Sequence, residues 1–169
     1  MNETTRWYTT IASPIGNLLL ISDGVALRGL WMQGGQRPLP PDPAWKHDDG
    51  PFTDVIAQLA QYFAGGRWAF DLPLVLDGTA FQRRVWAALQ DIPYGTTISY
   101  GQLATGIGQP TASRAVGLAN GRNPIAVIVP CHRVIGADGS LTGYGGGLER
   151  KRLLLGLEGA VERVRPSLF

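Results

Sequence analysis

The sequence predicts an α+β protein in two parts, a small antiparallel sheet with one helix followed by a helical domain that contains a helix-turn-helix. Three observations lead there. Short apolar or alternating runs, separated by Gly, Pro, Asn and Asp, fill the chain as far as Met32. From Thr79 onward the apolar residues recur instead at helical spacing. The charge balance reverses at the same place: residues 1–79 hold five Lys or Arg and eight Asp or Glu, a net −3, whereas residues 80–169 hold ten and five, a net +5. With 169 residues, 44% hydrophobic and 17% charged, the chain can bury a sizeable core. We divide it into residues 1–78 and 79–169.

In order along the chain, "RWYTTIAS", "NLLLIS" and "ALRGLWM" read as three short strands. "GGQRPLPPDPAWKHDDG" reads as a Pro- and Asp-rich loop, with His47 a solvated surface residue inside it. "FTDVIAQLAQYFAGG" places Val55, Ile56, Leu59 and Tyr62 or Phe63 on one helical face and ends on glycine. "RWAFDLPLVLDG" returns to extended structure. In "TAFQRRVWAALQDIP", Phe81, Val85, Trp86 and Leu89 form an apolar stripe with Arg83 and Arg84 outside it. Ser99 followed by Gln102 is a capping-box signature for a short helix, "SYGQLA", which "TGIGQP" closes. Thr111 is placed to cap a second helix, "ASRAVGLAN", stopped by Gly121, and the pair makes the helix-turn-helix. The second helix is built largely of small residues, Ala112, Ser113, Ala115, Gly117 and Ala119, with Arg114 its main large polar projection. Small residues serve close packing against the first helix and close approach to a narrow DNA groove equally well.

Several classes are excluded or disfavoured. No apolar run approaches the roughly 18 residues needed to span a bilayer, and "MNETTRWYTT" has neither the basic nor the apolar region of a secretory signal. A cytoplasmic location is expected. One cysteine forms no internal disulfide, and Cys131, His47 and His132 lack the spacing of a zinc site. A basic C-terminal half points to an anionic partner.

The chemistry is concentrated in "VPCHRVIG", where Cys131 stands beside His132. "NPIAVIVPC" reads as a turn followed by a buried strand that Pro130 ends, so the thiol is expected at a strand end. Adjacent residues of a strand point to opposite faces, so Cys131 and His132 are not expected to bond directly, and activation would need a bridging water. A thiol with an ordinary pKa near 8.5 requires such help to reach the thiolate. Read from these residues alone, Cys131 is either an inert buried cysteine or a nucleophile.

The ordered set of "SYGQLA", "SRAVG", "NP" at 123–124, "PCHRV" and "GYGGG" closely resembles the O6-alkylguanine-DNA alkyltransferases, also called methylated-DNA protein-cysteine methyltransferases. The resemblance is continuous from about Thr79 to Glu158 and is more general before that, where it includes "SPIG". It implies a ribonuclease H-like N-terminal domain and a winged-helix-like C-terminal domain. The implied activity is stoichiometric, irreversible transfer of the alkyl group from O6-alkylguanine, and from O4-alkylthymine, in double-stranded DNA to Cys131. His132 would take the thiol proton through a water and Glu158 would orient His132. Tyr100 would donate to guanine N3, and Asn123 would brace the turn before the active-site segment. Arg114 would replace the base flipped out of the duplex, on a helix that meets DNA through Thr111, Ala112 and Ser113 together with Tyr100. Val134, Tyr144 and Gly145 would line the base pocket, and Arg133 would tie the motif to its neighbours. Relatives without chemistry carry tryptophan where this chain has Cys131, which favours a competent acceptor.

The resemblance also implies no cofactor, no metal and no membrane, and a monomer, with cooperative assembly along DNA as an alternative. Gly145 stands where some members have serine, and Ser113 where alanine is frequent. Two rival readings stay open at this level: a DNA-binding module without chemistry, and a thiol hydrolase using Cys131, His132 and Glu158.

Overall fold

The computed structural model describes residues 5–34 and 41–160, in two compact units. The first runs to Asp77 and takes in Pro124–Ala126; the second begins at Gly78 and resumes at Val127.

In the first unit β1 (Trp7–Ile11), β2 (Leu18–Ser22), β3 (Leu27–Met32) and the two-residue β4 (Lys46–His47) form a sheet in the order β3-β2-β1-β4. The first three strands pair antiparallel, and β4 runs parallel to β1. All five residues of β2 are buried, which is why its sequence is continuously apolar where a one-sided strand would alternate. α1 (Thr53–Phe63) buries Val55, Leu59 and Tyr62, one face of a 3.6-residue period, and Gly65 leaves it at φ 82°.

Two expectations change here. His47 is exposed, as a loop residue would be, but it belongs to β4 and its ring lies 5.2 Å from that of Tyr8. The loop reading over residues 35–40 falls outside the described residues. The stretch 67–78 forms no regular strand; a single parallel bridge joins Leu74 to Leu27.

The second unit is helical. α2 (Ala80–Leu89) opens with a complete capping box, in which the Thr79 hydroxyl accepts from the Gln82 N–H and the Gln82 side chain accepts from the Thr79 N–H. Its stripe buries Val85, Trp86 and Leu89. Ser99 and Gln102 form the same box at the start of α3 (Tyr100–Gly106), directly after the short β5 (Ile98–Ser99). α4 (Ser113–Gly121) follows; β6 (Val134–Ile135) pairs parallel with β5, and α5 (Leu148–Leu157) ends the described helices. Trp86 ties α2 to α4, because its fully buried indole Nε1 donates to the Ala119 carbonyl at 2.8 Å. Gly78 is required beside it: a Cβ there would stand 2.5 Å from the indole ring.

Two further expectations are overturned. Thr111 does not cap α4; Ala112 holds that position without a side-chain bond, and the entry is closed by the Ala112 N–H donating to the Gln109 carbonyl. That turn sets the start of α4 one residue after Thr111, so its hydroxyl is not at the capping position. The apolar run 125–129 is not a strand. Ile125 makes one bridge to Leu30, after which the chain turns through Val127 at φ 70°, a left-handed value that no ladder accommodates. Burial, not pairing, explains the apolar run, since Val127 and Val129 are at most 1% exposed.

Trp86→Ala should lower the unfolding free energy by about 3–5 kcal/mol through the lost indole and its cavity. Urea denaturation reads this directly, and a loss under about 1 kcal/mol would mean that α2 and α4 are held together elsewhere.

Candidate active site

Cys131–Arg133 form a single 3-10 turn that leads into β6, and Pro130 at its N-cap prevents any continuation of regular hydrogen bonding from before. The turn presents three buried side chains in succession. His132 and Glu158, the latter at the C-cap of α5, have side chains with no solvent exposure, and 2.7 Å separates His132 Nε2 from Glu158 Oε2. Arg133 donates Nε to Glu158 Oε1 at 2.8 Å, Nη2 to Oε2 at 3.1 Å and Nη1 to the Ile92 carbonyl at 2.6 Å, with its guanidinium 5.8 Å from the centre of the Tyr94 ring.

The carboxylate accepts only, so it selects the imidazole tautomer that carries its proton on Nε2. That leaves Nδ1 as a lone pair, buried and without a hydrogen-bond partner among the described residues. Burial holds His132 below its ordinary 6.5; the bond and charge of Glu158 oppose this, and the charges of Arg133 and Lys151 reinforce it. Burial likewise pushes the Cys131 thiol up, against a hydrogen bond from Asn123, the Lys151 charge and a hydrogen bond from Tyr144. The resting pair is therefore a thiol and a neutral imidazole with a free acceptor nitrogen, which suits a base that takes the proton as reaction occurs.

No hydrogen bond joins Cys131 and His132. The strand geometry expected to keep them apart is absent; instead the turn directs the imidazole toward Glu158. Two amides fix the same turn. Asn123 Nδ2 donates to the Val129 carbonyl at 2.7 Å, and Asn120 Nδ2, from the buried face of α4, donates to the Cys131 carbonyl at 3.3 Å.

Of the remaining sequence-derived positions, Val134 and Tyr144 are buried and Gly145 is exposed, with nothing within 4 Å of where a Cβ would stand. Tyr100, at the start of α3, is half-buried; its ring lies beside Gly117 of α4 and its hydroxyl donates to the Thr142 carbonyl at 3.3 Å. Ala112 and Ser113 are half-buried, Thr111 is exposed, and the outer face of α4 presents Arg114, Ala115 and Leu118 to solvent. Cys131, His132, Glu158 and Tyr144 thus form one buried cluster with the half-buried Asn123, while Arg114 stands outside it on the surface.

Two residues of the cluster escaped the sequence reading. Asn120 is one. Lys151 is the other, fully buried, with its ammonium donating to the Val134 carbonyl at 2.6 Å and the Thr142 carbonyl at 2.8 Å. Its signal was present: Lys151, Leu154, Leu155 and Glu158 follow the i, i+3, i+4, i+7 spacing of one helical face. Among the described residues, no group of three His, Cys, Asp or Glu side chains gathers to hold a metal, and no helix is long and apolar enough to cross a membrane.

The chain matches two family models, the ribonuclease-like domain of 6-O-methylguanine DNA methyltransferase over residues 7–76 and its DNA-binding domain over residues 80–160. It is 58% identical over 151 residues to a methylated-DNA--protein-cysteine methyltransferase of Mycobacterium tuberculosis, covering 89% of this chain and 91% of that one. A protein of the same description from Methanosarcina acetivorans is 50% identical over 154 residues, covering 91% and 99%. The structure is also similar to a crystal structure of Mycobacterium tuberculosis OGT in complex with DNA, with a TM-score of 0.85 and 56% identity over 91% of this chain and 93% of that one.

The depressed pKa of His132 sets a pH dependence. The unfolded chain binds that proton first, so the stability that neutral His132 confers is complete above its ordinary 6.5 and is lost as pH falls. Melting temperature should therefore drop between about pH 7.5 and about pH 5.5, and the drop should be shallower in His132→Gln. Parallel curves for the two proteins would contradict the assignment.

Proposed function

The chain belongs to the 6-O-methylguanine DNA methyltransferase family, and on that premise we propose that it repairs DNA by moving the alkyl group of O6-alkylguanine onto Cys131. One observation carries the assignment of roles: a buried thiol opens a 3-10 turn capped by Pro130, and the next residue is an imidazole whose Nε2 is held by Glu158 and whose Nδ1 is open.

The Cys131 sulfur attacks the alkyl carbon as its proton passes, through a water, to His132 Nδ1. A C–S bond forms and the C–O6 bond breaks, its electron pair returning to the base. Tyr100 offsets the charge that develops by hydrogen-bonding guanine N3, giving up its bond to the Thr142 carbonyl. The product thioether has no hydrolytic exit, so each molecule repairs one lesion. Asn123 holds the turn and, with Tyr144, favours the ionised sulfur against its burial. No cofactor takes part.

In-line attack on an alkyl carbon requires a base outside the stack, so the substrate nucleotide is flipped, at a cost of a few kcal/mol. Arg114, exposed on α4, takes the space it leaves, and Thr111, Ala112 and Ser113 bring the backbone close to the groove. Val134, Tyr144 and Gly145 line the pocket that receives the base. Gly145, where nothing stands within 4 Å of a Cβ, leaves this position without the hydroxyl that a serine would add. O4-alkylthymine offers the same alkyl–oxygen bond and is the second substrate. The protein acts as a monomer on double-stranded DNA, held by phosphate contacts to its basic half with little sequence preference.

Intact-protein mass after incubation with duplex DNA containing O6-methylguanine tests this. The expected result is one methyl in place of one hydrogen, on Cys131, saturating at one equivalent and absent in Cys131→Ser. Tight binding with unchanged mass would favour a non-catalytic DNA reader, and repeated turnover of an ester or peptide with the thiol regenerated would favour a hydrolase. Affinity for duplex DNA should also fall log-linearly with salt.

A further inference from the structure

The outer face of α4 carries an apolar side chain that the steps above leave unused. Leu118 is 70% exposed. A scattered surface leucine needs no explanation by itself, but the setting of this one is specific. Arg114, Leu118 and Arg122 stand four residues apart and all three are exposed, so they form one ridge along the helix with an arginine at each end. Neither arginine makes an ion pair among the described residues. No carboxylate lies near them in sequence either, since no Asp or Glu occurs between Asp91 and Asp138. The other exposed positions of the helix are Ala115 and Gly121, so the leucine and the two arginines stand clear of their neighbours on α4.

Such a ridge fits a groove with anionic rims and apolar walls. The minor groove of duplex DNA has both, phosphates at its edges and sugar carbons along its sides, and proteins that bind there frequently insert an apolar side chain. An apolar protein surface fits less well, because covering the leucine would also desolvate two unpaired guanidiniums. We propose that Leu118 seats inside the minor groove, with Arg122 on the flanking phosphate, as a second point of contact beside the one that Arg114 makes. This deepens the reading above and rests on it. Four residues of helix rise about 6 Å and successive bases lie about 3.4 Å apart, so Leu118 meets the duplex about two base steps from the flipped nucleotide. Its contribution involves no counterion release, so part of the affinity is insensitive to salt.

The test is binding of O6-methylguanine duplex across a salt series, by fluorescence anisotropy, with Cys131→Ser as the parent so that no transfer intervenes. Leu118→Ala should weaken binding about fivefold or more at every salt concentration, with the slope of log affinity against log salt unchanged. Leu118→Met, which keeps an apolar side chain of similar size, should bind within about threefold of the parent. Arg122→Ala should instead make the slope shallower by about 0.9, the share of one phosphate. With Cys131 restored, Leu118→Ala should react at saturating DNA within about twofold of the wild-type rate. Equal affinity in the parent and Leu118→Ala, or a loss that shrinks as salt rises, overturns the inference. Equal DNA affinity together with altered sedimentation overturns it in favour of a protein contact at the leucine. A parent with no affinity for duplex DNA refutes DNA binding itself. A parent that binds, beside a wild type that gains no methyl on Cys131, refutes only the proposed reaction, and the Leu118 comparison still reports on the groove.

Discussion

The carboxylate of Glu158 is the group on which the second unit's buried polar cluster depends. It is fully buried and accepts from three nitrogens, one on His132 and two on Arg133. Paired with the imidazole alone, a buried carboxylate would favour the imidazolium and remove the base. Arg133 engages both oxygens and so divides the negative charge, while burial favours the neutral ring. Arg133 thereby helps keep the neighbouring imidazole neutral, with Nδ1 left as a lone pair. Removing either partner would strand a buried charge, at about 3–5 kcal/mol by analogy with other buried pairs.

Around that carboxylate the backbone is braced from several directions. Asn123 and Asn120 donate to successive parts of the cysteine segment, Arg133 to the Ile92 carbonyl and Lys151 to the two ends of the loop that follows. Val127, a β-branched residue at φ 70°, lies just before. A conformation of that kind persists only where its surroundings over-determine it. The exposed face of α4 contrasts with this: Ala115 and Arg114 project to solvent, and the same small residues that admit Tyr100 against Gly117 leave the helix low in profile. Bracing is thus concentrated around the buried thiol, and the low profile of small side chains lies on the exposed face of α4.

How much of this was legible in the sequence depended on whether the signal was local. The Ser99–Gln102 capping box, the buried stripe of α1 and the stripe of α2 follow from residues three and four apart, and they formed as expected. The segment 125–131 misled because an apolar run records burial without recording how the backbone achieves it, and only tertiary packing selects a turn through Val127 over a strand. Thr111 misled because the turn before α4 carries it one residue ahead of the N-cap, which Ala112 occupies. Lys151 was overlooked for the opposite reason: its periodicity was visible, but a lysine on an apolar face is ordinarily taken as solvated. Its partners are carbonyls 17 and 9 residues away, which no side-chain pattern announces.

The short excursion at Pro124–Ala126 has a consequence for how this protein can be cut. Leu30 donates to the Pro124 carbonyl at 2.9 Å and accepts from Ala126 at 3.3 Å, so the first unit's edge is completed by residues that arrive some ninety positions later in the chain. A fragment ending at Asp77 would expose the amide and carbonyl of a residue that is 1% accessible. Swapping N-terminal halves between relatives at the apparent boundary would therefore transplant an unfinished sheet edge. Chimaeras and split reporters built on this scaffold would have to carry the tripeptide with the first half, or accept a partner whose own tripeptide matches Leu30.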